Sequence, residues 1–327
     1  MNAGWNSRPG IVKARNGTMA EHRLTQELQQ RYHYTIGPYA DPVMRINPGD
    51  TVIVETQDAF EGKILTEDTM PSEVLEVPFL NPQTGPIYVE GAEKGDALAV
   101  KIHAIEPRGP QPRGTTCLVP HFGGLTGTDT TVTLQDPLPE IVRKVNVTTE
   151  GVEWSDRITL PYEPFIGTIG TAPQIDSINS LTPGSHGGNM DLPDVGPGCT
   201  LYLPVRSPGA LLYLGDGHAV QGDGELCGVA IEFPTITTMT LDLVKGWSLD
   251  WPRLENDRFI MSIGSARPLE DAARIAYADL VGWMVEGYGF DRWEAYMLLT
   301  QIGKVRLGNM VDPNYTVGAS IAKQYLP

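Results

Sequence analysis

Apolar positions in this chain recur in short runs, most with a period of two, and the runs are punctuated by glycine, proline and aspartate. Thr51-Val52-Ile53-Val54-Glu55-Thr56 follows Pro48-Gly49-Asp50, and Ala97–Ile105 follows Lys94-Gly95-Asp96, so each phrase is a turn opening into a strand. Val43–Ile46, Gly85–Gly91, Ile141–Val147, Val152–Leu160, Cys199–Val205, Ala210–Leu214 and Leu226–Phe233 read as further strands. Gly167–Pro173 reads as a glycine-rich strand or loop. Thr235–Val244 alternates and is rich in threonine, which predicts a half-exposed strand. After Arg267 the period changes. Leu269, Ala272, Ala273, Ala276, Leu280, Trp283 and Met284 fall on one helical face, Gly287 or Gly289 ends the helix, and Asp291 caps a second over Arg292–Gln301. A shorter helical candidate, Glu21–Arg31, rests on Leu24 and Leu28.

The pattern predicts a mainly β (α+β) protein. A β-sandwich-like body covers about residues 35–265, and a small C-terminal helical segment lies within about 266–327. Residues 32–327 form one domain, preceded by an N-terminal extension, 1–31, that is disordered or a short helix; Met19 is a second candidate start. The 36 glycines and 27 prolines are spread along the chain rather than gathered in a linker, which supports many short strands.

A formal charge of -16 repels phosphate backbones and argues against a nucleic-acid partner. Three cysteines, Cys117, Cys199 and Cys227, form no paired framework and suggest a reducing compartment. No apolar run approaches the roughly 18 residues of a membrane helix, and Met1–Met19 lacks the apolar stretch of a signal peptide. A cytoplasmic protein without a membrane partner is the expectation, assembled as a homodimer.

Two segments crowd ligand-type side chains between glycines. They are Ser185-His186-Gly187-Gly188-Asn189-Met190-Asp191 and Leu214-Gly215-Asp216-Gly217-His218-Ala219-Val220-Gln221-Gly222-Asp223-Gly224-Glu225. On an extended strand Asp216 and His218 share a face. A turn at Gly222-Asp223-Gly224 would return Glu225 on the next strand, gathering imidazole and carboxylates in a set suited to a divalent metal. The plainer reading is a Gly-Asp-Gly hairpin with a structural histidine. Cys227, between Leu226 and Gly228, reads as core packing rather than a nucleophile. Ser185 beside His186 makes a poor triad.

Five segments, "GDTVIVETQDAFEG" (49–62), "NPQTGPIYVEGAEKGDALAV" (81–100), "SLTPGSHGGNMD" (180–191), "GCTLYLPVRSPGALLYLGDGHAVQGDGELCG" (198–228) and "VDPNYTV" (311–317), resemble the signature segments of the acetamidase/formamidase family, in the family's order. The resemblance implies hydrolysis of short linear amides to carboxylate and ammonia, a β-sandwich-like body and a bound divalent cation, zinc or calcium. Asp58, His186, Asn189, Asp191, His218, Gln221 and Glu225 match the family's acidic and histidine motifs. From these, Asp58, Asp191, His218 and Glu225 are the expected metal ligands, and Glu225, His218 and Asp191 the expected catalytic groups. His186, Gly187, Gly188, Asn189 and Gln221 are the expected substrate contacts. A carboxylate such as Glu225 can take a proton from water and return it to the leaving nitrogen, while backbone N–H groups near Gly187-Gly188 or Gly222–Gly224 stabilise an oxyanion. Two alternatives use the same residues: hydrolysis of cyclic amides (γ-lactams), and a non-catalytic small-molecule-binding β-sandwich with a structural metal.

Overall fold

The computed structural model describes residues 19–126 and 137–327. The first 18 residues of the expected N-terminal extension lie outside them. Two sheets face each other. The larger has nine strands in the order Glu21–Leu24, Thr51–Glu55, Thr235–Val244, Ala97–Pro107, Thr200–Pro204, Arg253–Glu255, Phe259–Ala266, Tyr315–Ala322 and Lys304–Leu307. The smaller has five: Gly187–Asn189, Phe165–Thr171, Leu212–His218, Thr84–Val89 and Met44–Ile46. Alternate residues of each supply one shared core, in which Val54, Leu98, Val100, Leu201 and Met239 meet Ile87, Ile166, Ile169, Leu212 and Leu214. This is the sandwich expected from the period-two pattern.

Burial explains the local patterns. Thr235–Val244 alternates buried and half-buried positions along most of its length, because only one face meets the core. Phe165–Thr171 and Leu212–His218 are buried at every position and therefore carry glycine and threonine as well as apolar residues. The helix Leu269–Tyr288 lies on the strands Phe259–Ala266 and Tyr315–Ala322, burying Ala272, Ala276, Leu280, Trp283 and Met284 against Ile260, Val317, Ala319 and Ile321. It ends at Gly289, whose φ of 72° is the left-handed cap that glycine favours. The side chain of Asp291 then accepts from the N–H groups of Trp293 and Glu294 and starts Arg292–Ile302.

Two sequence expectations change. Glu21–Arg31 is not one helix. Glu21–Leu24 is a strand running parallel to Thr51–Val54, and only Gln26–Gln29 is helical. Burying Leu24 completely, worth about 1.5–3 kcal/mol, favours the sheet edge over an amphipathic turn. Leu226–Phe233 is a loop rather than a strand: Leu226 is 52% exposed, and only Glu232 bridges to neighbouring strands, at Thr115 and His218.

Candidate active site

The smaller sheet carries the chemistry. Its strands Phe165–Thr171 and Leu212–His218 pair antiparallel, with Phe165 opposite His218 and Thr168 opposite Gly215. Asp216 and His218 do point to one side, as the strand period predicts, and His218 Nε2 stands 3.4 Å from Asp216 Oδ1. Gly167 makes room for them. A Cβ there would lie 2.6 Å from Asp216 Oδ2 and 2.7 Å from Asp191 Oδ1. Two carboxylates therefore pack over a strand position that only glycine leaves open.

Two triads share His218. Ligand atoms of Asp191, His218 and Glu225 lie within 4.8 Å of one another, as do those of Asp216, His218 and Glu232. All five side chains are buried. His218 Nε2 is 3.1 Å from Glu232 Oε1, yet it is aligned for a hydrogen bond with neither Glu232 nor Asp216. Its other nitrogen is committed. Gln221 Nε2 donates to the carbonyls of Asp191 (2.8 Å) and Gly308 (3.0 Å), which turns Gln221 Oε1 toward His218 Nδ1 at 2.9 Å. Nδ1 must then carry the proton, and Nε2 faces the carboxylates. Asp191 Oδ1 and Glu232 Oε2 also lack hydrogen-bond partners. A histidine nitrogen oriented from behind and two buried, unpartnered carboxylate oxygens suit a divalent cation.

The backbone is strained here. Asp191 (φ 44°), Asp216 (φ 61°) and Glu225 (φ 49°) all sit in the left-handed region, which costs a non-glycine residue about 1–3 kcal/mol. Such strain persists where the surroundings over-determine it. The carboxyls are electrostatically strained too. Burial, with the charges of Asp312 and Asp216, pushes Asp191 well above the usual carboxylate range. Burial and then Asp191 do the same to Glu225. Burial raises Glu232 to about 7 even though His218 opposes it. Asp216 goes the other way: although it is buried, the charge of nearby His218 holds it below its ordinary value.

The structure sorts the residues singled out in the sequence. Asp191, His218 and Glu225 converge although they span three segments. Glu225 arrives from a turn rather than a returning strand: its N–H donates to the Gly222 carbonyl, and Gly224 N–H donates to Leu307 and Gly308. Asp58 stands outside both triads, because its Oδ1 accepts from the N–H groups of Phe60 (3.1 Å) and Gly62 (2.7 Å) and closes a local turn. Gln221 orients His218 instead of lining the cavity. His186 is buried away from it with both ring nitrogens unpartnered, and burial lowers its pKa to about 4. Gly187 and Gly188 are needed by the backbone. A Cβ on Gly187 would lie 2.3 Å from the Ile169 carbonyl, and the Gly187 N–H already donates to Gly184. Asn189 does line the cavity, with its amide held by Asn81 (3.1 Å) and Asp312 (2.7 Å).

Sequence reasoning missed Glu232, Asp312, Asn309 and Asn81. Asn309 Nδ2 donates to Asp191 Oδ2 at 3.2 Å. Glu232 had a signal, being the lone charge in the apolar run Val229–Phe233. Asp312 lay in the quoted segment 311–317 without being singled out. Asp216, Glu225, Glu232 and Asp312 line a cavity of about 550 Å³.

The β-sandwich thus brings acidic side chains and one histidine together beneath an open cavity, a set that could hold a divalent cation beside a small ligand. Residues 17–182 and 176–324 match the Acetamidase/Formamidase family, and the chain belongs to it. An acetamidase from Yersinia enterocolitica is 61% identical, with 97% of this chain and 96% of that one superposing at a TM-score of 0.94. An acetamidase from Bacillus halodurans is 34% identical over 93% of this chain and 98% of its own, with a TM-score of 0.84. A γ-lactamase from Delftia acidovorans, 19% identical over 94% of this chain and 93% of its own (TM-score 0.60), shares the fold. Among curated relatives, an acetamidase of Mycolicibacterium smegmatis is 29% identical over 62% of this chain and 63% of its own length. A putative formamidase of Schizosaccharomyces pombe is 27% identical over 67% of this chain. The match spans 64% of that formamidase's length. Among the described residues no helix is long and apolar enough to cross a membrane.

Proposed function

We propose that the protein hydrolyses the C–N bond of carboxamides, releasing carboxylate and ammonia at the cluster around His218. The observation that carries this reading is the pair of buried triads sharing His218 on a cavity, in a chain of this family. Asp216, His218 and Glu232 are the residues suited to hold a divalent cation, since His218 Nε2 lies 3.1 Å and 3.4 Å from the two carboxylates and is aligned to neither. This assignment frees Glu225 for proton transfer, where the sequence had given it both tasks. When bound, a divalent cation supplies positive charge that polarises an amide carbonyl, acidifies water and draws nearby carboxyls toward their ionised forms.

Glu225 then takes a proton from the attacking water. The water oxygen forms a bond to the carbonyl carbon, and the C–N bond breaks as Glu225 returns the proton to the leaving nitrogen. Asp191, fixed by Asn309 and by its N–H to the Gly167 carbonyl, sits beside Glu225 and keeps its proton affinity high enough for that exchange. Gln221 holds His218 in the tautomer that presents Nε2. The Gly187 N–H, already donating to the Gly184 carbonyl, argues against an oxyanion role for it.

The test is ammonia release from formamide and acetamide by purified protein, before and after chelation, with metal content measured. Glu225→Gln should keep the ion and lose at least about 100-fold in turnover, the usual scale of general acid–base catalysis. Asp216→Asn should lose the ion. Full activity after exhaustive chelation, or near-normal activity in Glu225→Gln, overturns the reading.

A further inference from the structure

The cavity above the carboxylates is far larger than formamide or acetamide needs. At about 550 Å³ it belongs to the size class that holds ligands of many heavy atoms. A three- or four-atom amide displaces only roughly two or three waters, each about 30 Å³. The remaining wall is mostly apolar, with Asn81, His121, Thr126 and Asn189 among it. Phe60, Leu75, Leu80, Val119, Phe122 and Val311 line it. Val77, 79% exposed, also lines it, so this side opens to solvent.

Resting on the amide-hydrolase reading above, we propose that this cavity is an acyl pocket and that the preferred substrates are amides with an uncharged, apolar acyl group of about six carbons or more. The charges argue for neutrality. Apart from Asp216 and Glu232, whose charge a bound cation would offset, Glu225 and Asp312 face the same space and disfavour an anionic acyl group. Arg267, the guanidinium on the lining, donates from Nη2 to the Asp312 carbonyl and lies 4.4 Å over the Tyr315 ring, contacts that hold it against the wall although its Nε has no partner. An acyl chain replaces poorly satisfied water against Phe60, Leu80 and Phe122, and each buried methylene adds to transition-state binding as long as it finds a wall.

The experiment measures kcat/KM by ammonia release from the full-length, metal-replete protein. The series is acetamide, butyramide, hexanamide and phenylacetamide, with succinamic acid as the anionic member. The expected result is a rise with acyl size, hexanamide exceeding acetamide by at least about 100-fold, and succinamic acid falling below butyramide. Leu75→Trp, which fills the wall, should cut the hexanamide-to-acetamide ratio at least about tenfold. Val77→Trp at the exposed rim should lower it in the same direction and serves if Leu75→Trp does not fold. A kcat/KM that is flat or falls with acyl length, while acetamide is turned over, overturns the acyl pocket and leaves the amidase reading standing. So does an unchanged ratio in both tryptophan variants. Failure to release ammonia from any amide sinks the amidase reading itself, and the acyl pocket with it.

Discussion

Gly167 and Gly264 are both buried-strand glycines that cannot accept a methyl group, and they are needed for opposite reasons. At Gly264 an added Cβ would lie 2.3 Å from the Ala272 carbonyl oxygen and 2.8 Å from the Ala276 nitrogen, so the glycine lets the helix Leu269–Tyr288 settle onto the sheet. At Gly167 the obstructed atoms are carboxylate oxygens of Asp191 and Asp216. The first glycine brings apolar surfaces together and lowers the free energy of the fold. The second brings like charges together, in company with three acidic residues at positive φ, and raises it. A site that opposes stability in this way is one whose arrangement serves something other than folding.

That contrast can be broken experimentally, and the largest effect is expected at Gly167. Gly167→Ala removes no functional group, yet it displaces Asp191 and Asp216 by up to about an ångström. Turnover should fall at least about tenfold, since misplacements of that size cost up to about 100-fold. Steady-state kinetics on protein shown to be folded decides it, and wild-type turnover would mean the two carboxylates have room the structure denies them. Gly264→Ala should behave oppositely. Overpacking against a helix backbone costs about 1–3 kcal/mol, so the melting temperature falls while turnover per folded molecule stays intact. Equal losses of activity in the two variants would erase the distinction between them.

A smaller effect concerns pH. Glu232 has a folded-state pKa of about 7 against an ordinary 4.5, raised chiefly by burial, and His218 is also raised, by Glu232 and Asp216 against the opposing effect of burial. A group raised on folding contributes stability below its unfolded pKa and loses it as pH rises through the folded value. Burial of neutral His186, lowered to about 4, works the other way below its ordinary value of 6.5, so metal-free protein should become less stable between about pH 6.5 and 8. Added divalent cation should stabilise it most at the upper end of that range. Asp50 and Asp96, whose pKa values are lowered despite partial burial by hydrogen bonds from His22 and Lys245 among others, are ionised throughout this window and do not mask the trend. Melting curves with chelator that rise from about pH 6.5 to 8 would refute this electrostatic picture of the site.

Local chemistry determined much of this protein directly from the sequence. The period-two runs placed strands such as Thr51–Glu55 and Thr235–Val244, and the helical face after Arg267 placed Leu269–Tyr288, because one-sided burial imposes those periods. Side-chain alternation on one strand put Asp216 beside His218. Glycine-rich segments singled out Asp191, His218 and Glu225. Other matters waited for the tertiary structure, since they depend on which segments meet. Asp58 looked like a ligand and is a turn cap, because its nearest donors are its own neighbours Phe60 and Gly62. Gln221 looked like a substrate contact and is the brace behind His218, because the Gly308 carbonyl, 87 residues away, fixes its amide. Glu232 read as part of a core strand, and only the bridges to Thr115 and His218 turn its carboxylate into the site. Spacing along a chain reports which face a residue takes, whereas the partner it finds on that face is set by long-range packing.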